Sequence, residues 1–219
     1  MAIAGKKAAV FVMNDDAPIQ FTEESTSTTD DLVFEIDDRD LRYWSREDPV
    51  IVEEDIAGNW TTVATERYRV QHAGGRVHFR SPNTNDVRVS GYYVTVSLAA
   101  QTNEYTMSIN GEMLDTTVFI NYETEPELLG WRRRKQGIKD VTGTVGGFWD
   151  INNFFTDRIL NQKPLILELT VDQTVEPEPE IFAMYAFLES QELASAVDAT
   201  VDTSVSYQSD GDLLIEGGN

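Results

Sequence analysis

The sequence predicts a mainly β protein with one flanking helix, and three observations carry that prediction. Apolar and polar residues alternate with period two along most of the chain. β-Branched and aromatic side chains concentrate in the alternating runs, and a single segment switches to helical spacing. The runs fall at residues 8–13, 31–36, 50–54, 67–72, 76–80, 86–98, 105–109, 116–122, 165–173, 181–189 and 199–207. The helix is expected over about 150–161, where Asp150 can act as N-cap, Phe148, Ile151, Phe155 and Ile159 share a face, and Pro164 forbids continuation. Two polar stretches read as exposed, an extended arm over about 14–30 and a long loop over about 124–140 that carries Arg132, Arg133, Arg134 and Lys135. No internal repeat and no linker interrupts the 219 residues, so a single domain is expected over 1–219.

One hairpin is legible in detail. Gly74 and Gly75 between two alternating runs predict a two-residue primed turn. The register then sets Tyr68, Val70, His72, Val77 and Phe79 on an apolar face and Arg67, Arg69, Gln71, Arg76, His78 and Arg80 on the other. That second face is cationic in a chain whose formal net charge is −21. Like charges set opposite one another are unfavourable unless something anionic covers them, and an acidic neighbouring subunit would do so.

Charge and composition exclude several functions. A balance of −21 repels phosphates, which disfavours tight nucleic-acid binding. The acids are not spread evenly: after Lys163 the chain carries acids and no further lysine or arginine. There is no cysteine, hence no disulfide, thiolate nucleophile or Cys-ligated metal. Lys6 and Lys7 precede an apolar run too short for an export signal, and no stretch approaches the length that spans a bilayer.

A search for catalytic constellations yields none, and no enzyme, cofactor or metal is expected. The two histidines, His72 and His78, fall on opposite hairpin faces in the expected register. Residues 143–147, Gly-Thr-Val-Gly-Gly, lack the Walker lysine and the dinucleotide-binding spacing, and read as a turn or tight strand bend. The clusters Asp37, Asp38, Asp40 and Glu53, Glu54, Asp55 lack the spacing of a calcium loop.

Three stretches in order resemble the tail tube (major tail) proteins of long-tailed bacteriophages of the siphophage type. The first runs from Val89-Ser90-Gly91-Tyr92-Tyr93 through Tyr105-Thr106-Met107-Ser108-Ile109 to Met113-Leu114-Asp115-Thr116-Thr117. The second is Gly130-Trp131-Arg132, then Gly137-Ile138-Lys139-Asp140-Val141-Thr142-Gly143 and Gly147-Phe148-Trp149-Asp150, similar to a glycine-lysine-aspartate loop followed by strand and helix. The third joins Phe182-Ala183-Met184-Tyr185-Ala186-Phe187-Leu188 to residues 199–213, similar to the closing strands of tube proteins. The segment 31–59 is longer and more charged than short family members have.

The resemblance implies a β-sandwich or half-barrel, rings of six copies that share a closed inner β-barrel, and stacking of rings into the conduit for DNA ejection. Implied partners are further copies of the chain, the tape measure, tail terminator and distal tail proteins, and viral DNA in transit only. The implied location is the virion tail, with assembly in the host cytoplasm and no membrane contact. Within that frame, alternation near the C-terminus assigns Asp198, Thr200, Asp202 and Ser204 to the channel, together with Glu168, Thr170 and Asp172. Arg132, Arg133, Arg134, Lys135, Arg67, Arg69, Arg76 and Arg80 are expected at contacts between subunits. The alternatives are an extracellular carbohydrate-binding β-sandwich, using Trp44, Trp60, Trp131 and Trp149 as stacking platforms, and an acidic β-rich hydrolase.

Overall fold

The computed structural model describes residues 9–99, 102–115, 134–148, 154–171, 180–194 and 202–217. Its strands are β1 (Ala9–Met13), β2 (Ile19–Thr28), β3 (Val33–Ile36), β4 (Ile51–Ile56), β5 (Asn59–Thr62), β6 (Tyr68–Gln71), β7 (Arg76–Phe79), β8 (Val87–Tyr93), β9 (Val96–Leu98), β10 (Thr102–Asp115), β11 (Arg134–Phe148), β12 (Leu165–Thr170), β13 (Ile181–Ala194), β14 (Asp202–Ser209) and β15 (Leu214–Glu216). One α-helix, α1, spans Phe154–Leu160, inside the segment where helical spacing predicts it. Phe155 and Ile159 pack from it onto the core, while Asp150 and Ile151 lie outside the described residues.

The strands form two curled sheets. The eight-stranded sheet has the order β10-β11-β14-β13-β12-β1-β9, with β15 also paired to β13; the seven-stranded sheet has the order β5-β4-β8-β2-β3-β7-β6. Every pairing is antiparallel, which permits one buried and one solvated face per sheet. The eight-stranded sheet curls until β1 touches β10, and its concave side holds a core of Val10, Val12, Leu165, Leu167, Leu169, Met184, Val205 and Tyr207. The seven-stranded sheet wraps a second core around Trp44, with Phe21, Phe34, Ile36, Val52, Val77 and Val89.

The two sheets meet along β12 and β13. Leu165, Leu167 and Leu169 face the concave core, and the alternate positions Ile166 and Glu168 are also buried. Ile166 joins Tyr43, Ala73, Val94, Ala183, Tyr185 and Leu214 in a third cluster between the sheets. Burial on both faces explains the near-continuous apolar run in β12. The run expected over 86–98 is broken at Val94 and Thr95, where the chain leaves the seven-stranded sheet as β8 and enters the eight-stranded one as β9.

Several expectations are corrected. The arm expected over 14–30 contains β2, whose first half pairs with β8 and second half with β3. A register shift between Phe21 and Glu24, with Glu23 at φ 57°, bends the strand so that it can serve both neighbours. The loop expected over 124–140 is strand from Arg134 onward, and residues 143–147 lie within β11 rather than at a turn. The strand expected over 116–122 lies outside the described residues.

In the β6–β7 hairpin the faces are as read: Tyr68 opposes Phe79 and Val70 opposes Val77, while Arg69 opposes His78 and Gln71 opposes Arg76. The connection, however, has four residues, 72–75, not two. Gly75 has φ +60°, and a Cβ there would stand 2.7 Å from Ile36 Cγ2, so the turn packs directly on the second core.

Candidate functional site

One distinctive surface is the convex face of β10, β11, β14 and the second half of β13. Core side chains alternate with this face, so the buried positions Val141, Val145, Val205 and Tyr207 fix which residues it receives. Register aligns those residues in rows across the sheet. Thr106, Thr144, Ser206 and Ser190 form one row, and Ser108, Thr142, Gln208 and Phe187 form the next. Neighbours in the first row bond laterally, Thr106 Oγ1 to Thr144 Oγ1 at 2.8 Å and Ser190 Oγ to Ser206 Oγ at 2.7 Å, and Asn110, opposite Asp140, donates diagonally from Nδ2 to Thr142 Oγ1 at 3.3 Å. Four strands at about 4.8 Å spacing make the face roughly 14 Å wide.

Its charges are acidic. Glu104 and Glu192 are exposed on it, and Asp140 accepts from Gln208 Nε2 at 2.8 Å and from Ser209 Oγ at 3.2 Å. Over residues 104–111, 140–147, 187–192 and 204–208 the face carries no lysine or arginine; Lys139 follows the alternation of Val141 and belongs to the other side, and Arg134 and Lys135 lie at the far end of β11, opposite Asp115 and Leu114. Short hydroxyl and amide side chains leave the surface wettable. At its border β10 is an edge strand, with no strand beyond it among the described residues.

Local packing on the core side ties these strands together. Gly143 lies under the Tyr207 ring, and Tyr207 Oη reaches across the bare strand to donate to the Thr106 carbonyl at 2.9 Å. The residue ties β14 to β10 over β11. Burial pushes its phenol well above the ordinary value.

The expected site residues divide. Ser204 is exposed on this face, and Asp202 begins the same strand. Asp172, Asp198 and Thr200 lie outside the described residues, as do Arg132 and Arg133. Glu168 and Thr170, expected in the channel, are 5% and 2% exposed. Glu168 is covered by Arg42, at 3.1 Å, and by the Tyr43 hydroxyl, which donates to it. Their face meets the second sheet, which strand alternation alone does not reveal.

The cationic hairpin is likewise answered inside the chain. Arg67 pairs with Glu54 at 2.5 Å, Arg69 with Asp212 at 2.5 Å, and Arg76 with Glu35 at 2.9 Å and Glu216 at 3.0 Å. Arg80 is exposed, and Arg134 and Lys135 begin β11.

Other chemistry finds little footing. Nδ1 of His72 donates to the Ser45 carbonyl and Nε2 of His78 to Gln71 Oε1, and burial holds both imidazoles below their ordinary value. Among the described residues no three acids or histidines gather as metal ligands. Trp44 is fully buried, and Trp60 is stacked under Arg88 at 4.4 Å, so neither is an open platform for a sugar. A cleft of about 180 Å³ beside residues 69–73 contains Arg46 and Arg69, both already paired with aspartates.

Fold and face together define a two-sheet, mainly β protein with one open, acidic, hydroxyl-lined sheet surface. Among solved structures it is similar to a chain of the virion of a native gene transfer agent particle, at 14% identity and TM-score 0.43 over 56% of this chain and 89% of that one. It is also similar to a chain from the tail of an empty gene transfer agent particle with C6 symmetry, at 11% identity and TM-score 0.42 over 77% and 96%. A third is the SPP1 tail tube, at 14% identity and TM-score 0.35 over 78% and 77%. No protein-family model matches the sequence, and no curated protein does.

Proposed function

We propose that this chain is a structural tail tube subunit of the siphophage type, a single non-enzymatic domain whose copies close into hexameric rings and stack into a conduit for DNA. The observation that carries the reading is the convex face of β10, β11, β14 and β13, whose two central rows hold hydroxyl and amide side chains but for Phe187 and whose charges flanking those rows, Glu104, Asp140 and Glu192, are acidic. A bore lined this way repels phosphates and lets the polymer slide, whereas lysines and arginines would hold it by counterion release. The free edge of β10 supports ring closure, because a long unpaired strand is an aggregation liability unless a partner covers it. Ser204 and Asp202 then line the bore, joined in this reading by Asp198 and Thr200. Arg80 and the basic run Arg132, Arg133, Arg134 and Lys135 are assigned to contacts between subunits. Tape measure, terminator and distal tail proteins are the partners that the sequence resemblance implies, and the virion tail is the location.

Electron microscopy of concentrated protein should show rings or tubes. With no native cysteine to interfere, Ser204→Cys can be labelled by a maleimide too bulky to enter the bore, with Thr61→Cys on the exposed β5 as control. Assembly should slow labelling at position 204 and leave position 61 fast. A persistent monomer, or equal labelling of assembled and free Ser204→Cys, would overturn the reading.

A further inference from the structure

We propose that residues 210–216 are a releasable electrostatic strap that holds the seven-stranded sheet in place on the eight-stranded one. The segment continues directly from β14, turns, and adds β15 to β13 with Leu214 opposite Ala183 and Glu216 opposite Ile181. Its acids and a backbone carbonyl are then taken by residues of the other sheet and of the segment that leads through it. Arg46 pairs with Asp210 at 2.5 Å, Arg69 on β6 with Asp212, and Gln71 Nε2 donates to the Leu213 carbonyl at 3.4 Å. Glu216 lies between Arg42 at 3.3 Å and Arg76 on β7 at 3.0 Å. Between these bonds Leu214 is fully buried with Tyr43 and Ala73, while Ile215 points outward. The acid-only end of the sequence and its cationic hairpin are therefore partners within one chain.

The inner end of the strap is where charge decides. Glu35, Glu168 and Glu216 surround Arg42 and Arg76, three carboxylates against two guanidiniums, with the Tyr43 hydroxyl on Glu168. Burial and the nearby Glu35 push the Glu216 carboxyl above its ordinary range, and Arg42 and Arg76 partly offset that push. Taking Arg76 away leaves Glu35 and Glu216 facing each other and should expel the strap. The pairs of Arg46 and Arg69 are exposed and contribute little.

Hydrogen exchange on dilute, unassembled protein tests this, and because it needs no ring it can fail without touching the tail tube reading. Arg76→Met should speed exchange of the β15 amides by about tenfold or more, as expected when three carboxylates are left around Arg42 alone, with β10, β11 and β14 unchanged. Glu216→Gln added to Arg76→Met should restore protection, since it removes the excess charge at nearly constant shape. Arg69→Ala should change it less than about threefold. Unchanged protection of β15 in Arg76→Met, or no rescue by Glu216→Gln, overturns the proposal. Should Arg76→Met fail to fold, the unaltered protein decides: β15 must exchange by a local opening, faster than its partner β12–β13 pairing, and exchange only by global unfolding would rule out a strap.

Discussion

Tyr185 illustrates how a single side chain links the two sheets. It sits on β13, its ring is covered by Arg46 at 4.3 Å, and its hydroxyl donates to the Trp44 carbonyl at 2.7 Å. Burial pushes its phenol up to about 12, partly offset by Arg46. The folded state thus keeps a proton that the unfolded chain loses near pH 10, so the stability from this group is full below about pH 10 and declines as pH rises to about 12. Denaturant titrations should lose at most roughly 3 kcal/mol across that window on this account. In Tyr185→Phe the alkaline decline should be shallower, at a cost near neutral pH of about 1 kcal/mol for the lost hydrogen bond. An unaltered alkaline slope in Tyr185→Phe would mean that other tyrosines carry it. Nothing in the sequence marks this residue, since Ala183, Tyr185 and Phe187 alternate identically and only the second sheet distinguishes the buried Tyr185 from the exposed Phe187.

Elements were legible where one face is apolar and illegible where burial is thin. β7 and β14 follow from alternation and β12 from its near-continuous apolar run, because each has a solid core on at least one side. β2 has the sequence of an arm since Phe21 is its only buried residue, although its three threonines, Thr22, Thr26 and Thr28, are a β signal. β11 was hidden by glycines that read as turns. Gly143 is there instead because Tyr207 needs the space, which gives a prediction. In Gly143→Ala a Cβ would run into the Thr106 carbonyl and stand 2.5 Å from Tyr207 Oη, so β10 must shift outward. The expected loss is about 1–3 kcal/mol by denaturation, typical of overpacking. Tyr207→Phe, which keeps the ring and loses only the bond to Thr106, should cost about 1 kcal/mol. Combined with Gly143→Ala it should cost less than the sum, because both act on the same contact between β10 and β14. Strict additivity would separate the two residues and remove the reason for the glycine.

At the scale of the whole molecule, the strand-rich class and the polar character of the C-terminal closing strands were in the sequence, but the partner of each charge was not. The chain reserves its cations: most of the described arginines are spent on its own acids, as in Arg42, Arg76 and Arg88, each of which touches two carboxylates. What remains for a neighbour to meet is therefore a surface close to the full imbalance of −21. Two such subunits repel before any strand edge or apolar contact can form, and that repulsion acts over a Debye length of about 10 Å at 0.1 M salt. Added salt shortens its reach while leaving the pairing of β10 and the burial of apolar surface nearly untouched. Self-association should accordingly strengthen as ionic strength rises, with monomer favoured at low salt and rings or longer assemblies at moderate salt. Sedimentation velocity at two ionic strengths and one protein concentration measures it. Assembly that weakens when salt is added would show that attractive pairs between subunits, such as those assigned to Arg80 and the basic run 132–135, outweigh the net charge, and would shift the design of the interface from apolar edge pairing to complementary patches.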